Sequence, residues 1–243
     1  MKYSELTIND PNFIKRFLQR YRFKTAISLF DKYVAKKPKH ILDYGAGSAQ
    51  LIKELIEKIK QENKYYVYEP TKYLMDEAKD NLVDLNYNEI HFFDNSNFIK
   101  SNEIDVLFCL EVFEHLPKEE INNVISDIKK LITQDGIAII GVPIEIGIPA
   151  LYKGIFRMTR RYGEYDACIR NVVLSLLYSP PSNRPTREIT DGFKYHRHHV
   201  GFDLRTLFDK FNKEFTIIDM RSSPFSFLGR FINPEYYFVL KKS

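Results

Sequence analysis

ILDYGAGSAQL, residues 41–51, decides how this chain is read. An apolar run ends in a carboxylate and two glycines follow. AQLIKELIEKIKQ then places Leu51, Leu55, Ile56 and Ile59 on one helical face. A glycine loop between a strand and a helix lets a ligand approach the backbone N–H groups of the helix start. Two familiar uses of such a loop fit poorly. A dinucleotide fingerprint needs a third glycine for helix–strand packing, and that place holds Gln50. No Gly-Lys-Ser or Gly-Lys-Thr follows, which excludes a P-loop.

Working outward, KYYVYEP, NEIHFFD, EIDVLFCL and GIAIIGVP read as strands, with TKYLMDEAKDNL and INNVISDIKKLI as helices between them. Asp135-Gly136 reads as the turn into the fifth strand. FDLRTLFDKF adds a helix, and FTIIDMR and EYYFVLKK close the chain as strands. Strands alternating with helices predict β-α-β units and a parallel sheet, and nearly continuous apolar strands predict helices on both of its faces. Ligands of such sheets sit beyond the carboxyl ends of the strands. Asp43, Glu69, Asp94 and the CLEVFEH stretch collect there. Glu69 lies 22 residues after Gly47, close to the spacing of about 20 for an acid that grips a ribose.

With these residues in place, the sequence resembles the class I S-adenosylmethionine-dependent methyltransferases. The likeness is carried by ILDYGAGSAQL, YEP, FFDN and CLEVFEHL and covers roughly residues 38–142. It implies an α/β, Rossmann-like sheet of seven mostly parallel strands with the last antiparallel. It also implies that Asp43, Tyr44, Gly45 and Gly47 line the methionine part of the cofactor, that Glu69 beside Pro70 holds the ribose, and that Asp94 with Asn95 faces the adenine. Leu110 and Glu111 would close the pocket. Ala49 stands where many members have a further glycine, a change of one methyl group.

Methyl transfer to oxygen requires alignment and the loss of a proton. His115 is the natural base, a neutral imidazole near pH 7, and His199 is a second candidate among His196, His198 and His199. Glu111-x-x-Glu114-His115 is also similar to the magnesium-binding stretch of ubiquinone-pathway O-methyltransferases and of small-RNA 2′-O-methyltransferases. The same pattern recurs in members without a metal, so Mg²⁺ stays open and no metal ligand is assigned.

Residues 143–200 interrupt the alternation and read as a helical cap that sets acceptor choice. In it Lys153, Arg157, Arg160 and Arg161 share one helix face, NVVLSLLY makes a second helix, and SPPSNRPTREITDG reads as an irregular connector. A cap packed on its own domain, a dimer surface, or a basic amphipathic helix over 149–162 at an anionic membrane interface are the uses considered. Residues 1–37 read as an N-terminal helical extension of a methyltransferase domain spanning 38–243. Nine basic residues against one acid between 15 and 39 read as a solvated face, the alternative being a face that meets an anionic substrate or membrane.

The totals are those of a soluble globular protein, 44% hydrophobic and 28% charged, without an apolar run long enough to span a membrane. MKYSELTINDPNF lacks a secretory layout, and two cysteines fit neither a disulfide framework nor a zinc site, so a cytoplasmic setting is expected. A net charge of +4 without a basic–aromatic module gives no reason to expect nucleic acid. The expected activity is O-methylation of a small or glycan-type acceptor, phosphate-bearing or lipid-linked. The alternatives are a polyprenylated quinone precursor as acceptor, or a non-catalytic cofactor-binding partner protein.

Overall fold

The computed structural model describes residues 13–34, 39–59, 61–190 and 193–243. The N-terminal stretch read above, together with Lys36 and Lys37 of the basic run, lies outside the described residues. A 21-residue helix, α1 (Phe13–Tyr33), precedes β1 (His40–Tyr44), α2 (Gln50–Lys58), β2 (Lys64–Tyr68), α3 (Lys72–Leu82), β3 (Ile90–Phe93), β4 (Ile104–Leu110), α4 (Lys118–Leu131) and β5 (Ile132–Pro143). After the cap region come α7 (Leu204–Glu214), β8 (Phe215–Ser223), a single turn α8 (Gly229–Ile232) and β9 (Glu235–Lys242).

Seven strands form one sheet in the order β3-β2-β1-β4-β5-β9-β8. The first five are parallel, and β9 runs antiparallel to both β5 and β8. Alternation of side chains along each strand sorts the core into two layers. Ile41, Val106, Phe108 and Val239 face α1, α2 and α3, whereas Leu42, Leu107, Cys109, Phe238 and Leu240 face α4 and α7. Both sets are buried, which is why these strands read as continuous apolar runs. The chain order reverses between β1 and β4, and this switch point opens a crevice at their carboxyl ends.

Two sequence expectations change. Asp135-Gly136 does not separate helix from strand, because β5 already begins at Ile132. Ile104 pairs with Ile132 and Val106 with Ile137, so the intervening residues bulge out of the ladder. The connector after residue 178 is not wholly irregular. β6 (Arg187–Thr190) and β7 (Phe193–Tyr195) form an antiparallel pair, too short to give a readable alternation. The cap holds two helices, α5 (Ile148–Arg161) and α6 (Ile169–Leu176). They close tightly because Gly154 lacks a side chain: a Cβ there would lie 2.5 Å from Val172 Cγ2.

α1 packs into the sheet's core. Ala26, Leu29 and Phe30 are buried, and Phe30 stacks on Phe108 of β4 at 6.2 Å. No helix among the described residues is long and apolar enough to cross a membrane. Leu29→Ala removes a fully buried side chain and should cost about 2–5 kcal/mol. A urea titration followed by circular dichroism should show that loss across one cooperative transition that includes the sheet.

Candidate active site

The loop after β1 is built by backbone geometry. Gly45 N–H and Ala46 N–H donate to the Tyr68 carbonyl at 2.9 and 3.0 Å, bending the chain over the end of β2. Gly45 has φ +77°, and a Cβ there would sit 2.6 Å from Val112 Cγ2. Ala49, which looked like a harmless replacement of glycine, also adopts a left-handed backbone at φ +54° and is fully buried. That conformation costs an L-residue roughly 1–2 kcal/mol, the physical reason glycine suits the place.

Glu69 holds this loop. Its Oε2 accepts the Gly47 N–H and its Oε1 the Thr71 N–H, both at 2.9 Å. Burial pushes its carboxyl above the usual range while these two donors oppose the shift. Asp43 is buried beside it, and burial together with the Glu69 charge pushes Asp43 up to about 7. Asp43, Gly45, Gly47, Leu110 and Glu111 line a cavity of about 90 Å³ that Gln19 and Arg22 of α1 cover.

Other candidates stand elsewhere. Tyr44 turns into the opposite core layer and donates from its hydroxyl to Asp127 Oδ2 at 2.9 Å, so its side chain is not in this cavity. Asp94 and Asn95 are exposed at the end of β3, and Asn95 Oδ1 accepts the Asn97 N–H at 3.0 Å. Neither they nor Pro70 line the cavity.

The EVFEHL stretch divides its labour. Glu111 ends β4 at φ +56°, a strained position for a non-glycine residue. Its carboxylate meets Arg22 at 3.1 Å, and Arg22 reaches Glu235 of β9 at 2.7 Å. Burial works against the charge of Arg22, but these two carboxylates outweigh it and raise its pKa. Glu114 is fully buried, and neither oxygen meets a donor among the described residues. Burial and the neighbouring Glu111 charge hold its carboxyl well above the usual range.

His115 is oriented by a reciprocal backbone pair. Its Nδ1 donates to the His196 carbonyl at 2.8 Å, and the His196 N–H donates to the His115 carbonyl at 2.6 Å. This leaves Nε2 with a free lone pair. The His199 ring stands edge-on to His115 with centroids 4.7 Å apart. Burial lowers His115 and drives His199 well below the ordinary histidine value, helped there by His115.

Both histidines face a larger cleft of about 660 Å³, which shares Gln19, Arg22 and Glu111 with the smaller cavity. Its far wall is α5. Glu145, fully buried, receives Arg157 through two bonds of 2.8 Å and Lys153 at 3.0 Å. Burial alone would raise the Glu145 carboxyl, yet these two cations hold it far below the usual range. Arg161 donates to Asp166 at 2.6 Å, and Arg160 lies over the Phe156 ring at 5.5 Å without an ion pair among the described residues. The basic face of 149–162 therefore turns into the cleft, because buried Glu145 needs partners there.

Sequence reading missed Arg22, Glu145 and Glu235. Arg22 was counted within a solvated basic face, but it falls in line with Ala26 and Leu29 at i+4 and i+7, on the stripe that faces the sheet. A cation on an apolar stripe was the available signal. Glu145 is the single acid in the apolar run VPIEIGIP. Glu235 gave no sign, since its role depends on β9 lying beside β5.

Residues 42–138 match a family model described as a methyltransferase domain. The matched stretch runs from β1 into β5 and takes in the glycine loop, Glu69 and the EVFEHL segment. No curated protein sequence matches the chain. Among solved structures, a protein of Pyrococcus horikoshii OT3 superposes with a TM-score of 0.63 at 14% identity, covering 99% of this chain and 96% of its own. Magnesium protoporphyrin IX methyltransferase of Synechocystis PCC 6803, solved with bound S-adenosylhomocysteine, gives 0.59 at 16% identity over 98% and 92%. A Burkholderia thailandensis 1,6-didemethyltoxoflavin-N1-methyltransferase gives 0.56 at 13% over 91% and 78%. At these identities the likeness is one of fold.

The smaller cavity sets a buried acid, Asp43, beside a glycine turn whose Gly45 packs against Val112 too closely for any side chain. We propose that Asp43 would meet the positively charged methionine end of S-adenosylmethionine. Asp43 is partly protonated below pH 7 in the free protein, and a cation lowers its pKa, so binding should release protons and tighten as pH rises from about 5.5 to 7.5. Calorimetry in two buffers of different ionisation enthalpy measures that release. Asp43→Asn should abolish it and weaken binding by about 10–100-fold.

Proposed function

We propose that this chain is a class I S-adenosylmethionine-dependent methyltransferase that transfers the methyl group to an oxygen of a small-molecule or glycan-type acceptor bearing an anionic group such as phosphate. The observation that carries this reading is the juxtaposition in one cleft of two imidazoles, His115 and His199, with a wall of Lys153, Arg157 and Arg160, separated from the glycine-loop cavity by the Arg22–Glu111 pair. The Burkholderia structure named above holds a small-molecule acceptor and S-adenosylhomocysteine, which agrees with a cleft of this size.

S-adenosylmethionine supplies a methyl group already activated on a sulfonium. The chain's own residues then have to align the acceptor oxygen and accept its proton. His199 suits the proton-accepting role because its setting keeps it neutral. His115, with Nε2 free, is its partner or substitute. Of the three cations on this wall, Arg160 has no carboxylate partner among the described residues, and so is the group best suited to the acceptor's charge.

Because burial lowers both histidines, the base is already neutral at the pH where an ordinary histidine titrates. kcat/KM should therefore climb at acid pH and be flat by about pH 7. His199→Gln should lower kcat by roughly 10²–10⁴-fold with cofactor affinity unchanged, and Arg160→Glu should raise KM for an anionic acceptor. Release of S-adenosylhomocysteine across a panel of phosphorylated sugars and related acceptors reads all three. Turnover confined to a neutral polyprenylated quinone precursor would replace this reading with that alternative.

A second reading has its own observation. One ligand atom each from Glu114, His115 and His199 lies within 4.8 Å of the others, and the Glu114 oxygens have no donor among the described residues. A divalent cation would satisfy them in place of a proton. The two readings exclude each other at His199, since a nitrogen that holds a cation does not take a proton. Under the second, EDTA should abolish turnover and Mg²⁺ restore it, more readily at higher pH as Glu114 deprotonates. Turnover indifferent to EDTA retires it.

A further inference from the structure

The cleft uses only one side of α5. On the other side Ile148, Tyr152 and Ile155 follow at i, i+4 and i+7, all exposed. α6 lies against this helix through the Gly154–Val172 contact and presents Ile169, Val173 and Leu177, also exposed. The segment between β8 and β9 adjoins them, since the Tyr152 hydroxyl donates to the Ile232 carbonyl at 3.0 Å. That segment exposes Phe225, Phe227 and Phe231, with Phe227 at 82%. Three neighbouring elements thus show large apolar side chains to the outside, beyond what scattered surface residues account for.

Charge narrows what covers them. No aspartate or glutamate occurs in 148–161, 169–176 or 224–232, while Arg170 and Arg230 are exposed among the apolar groups. A second copy docked about a two-fold axis would bring arginines to arginines with no acid on these three segments to meet them, Asp209 lying at the edge in a cavity it shares with Arg230. Anionic headgroups above an apolar phase match both features at once.

We propose that this face, the outer sides of α5 and α6 with residues 225–232, docks on an anionic lipid bilayer. Aromatic rings such as Phe227 and Phe231 enter the acyl boundary, and Arg170 and Arg230 meet the headgroups. The inference does not depend on which acceptor the cleft takes, and it differs from a basic-helix contact because Lys153 and Arg157 are committed to Glu145 inside.

The test is co-sedimentation of the purified chain with vesicles of phosphatidylcholine alone and of equal parts phosphatidylcholine and phosphatidylglycerol. Binding to the mixed vesicles, weakened by salt, is expected. Phe227→Ser with Phe231→Ser should weaken it by at least about tenfold, and Arg230→Glu should weaken it on the mixed vesicles. S-adenosylmethionine binding by each variant verifies that it is folded, because neither phenylalanine lines the cleft. Failure of the wild-type protein to bind mixed vesicles, or equal binding by the folded double variant, overturns the proposal. So does a wild-type dimer in light scattering that the double variant splits, which would give the face to a second copy.

Discussion

Charged groups cluster under cover at the carboxyl ends of these strands, and a buried charge persists only where its partner is held in place. Arg22 is the tie on which the rest of the site depends. Its guanidinium spans from Glu111 at the end of β4 to Glu235 at the start of β9, and it comes from α1. Three distant parts of the chain are thereby closed over one crevice. Glu111, one of its two partners, has a strained backbone, and the smaller cavity and the larger cleft share Arg22 as a common wall. α1 is for this reason a part of the site as well as of the core.

Glu145 makes a second tie of the same kind. It follows Pro143 where β5 leaves the sheet, so alternate residues part company: Pro143 and Glu145 face the cleft, while Ile144 and Ile146 line an apolar cavity on the other side. Drawing Lys153 and Arg157 inward to Glu145 fixes the rotation of α5 about its axis. That rotation sends Ile148, Tyr152 and Ile155 outward. Pairing one buried acid therefore shapes both the wall of the cleft and the outer face of the cap.

Much of the fold was legible because it rests on local periodicity. The sheet strands were apparent from their apolar runs, and the carboxyl ends of the parallel strands marked the crevice. The β6–β7 pair and the bulge at 133–136 were not apparent, because a strand of three or four residues and a bulge leave no period. In the site, Asp43, Gly45, Gly47, Leu110 and Glu111 do converge on one cavity, whereas the Tyr44 side chain, Asp94 and Asn95 stand away from it. A strand's alternation sends neighbours to opposite faces, so adjacency to Asp43 in the chain was a poor guide to adjacency in space.

The sequence by itself determined the order of strands and helices, the glycine loop and the acid at the end of β2, since each depends on residues close together in the chain. Only the tertiary structure decided that Arg22, Glu111 and Glu235 meet, and that His115 and His199 stand ring to ring. It alone decided that a basic helix face is an inner wall. Those outcomes depend on which buried charge finds which partner across more than two hundred residues, and spacing along the chain carries no trace of that choice.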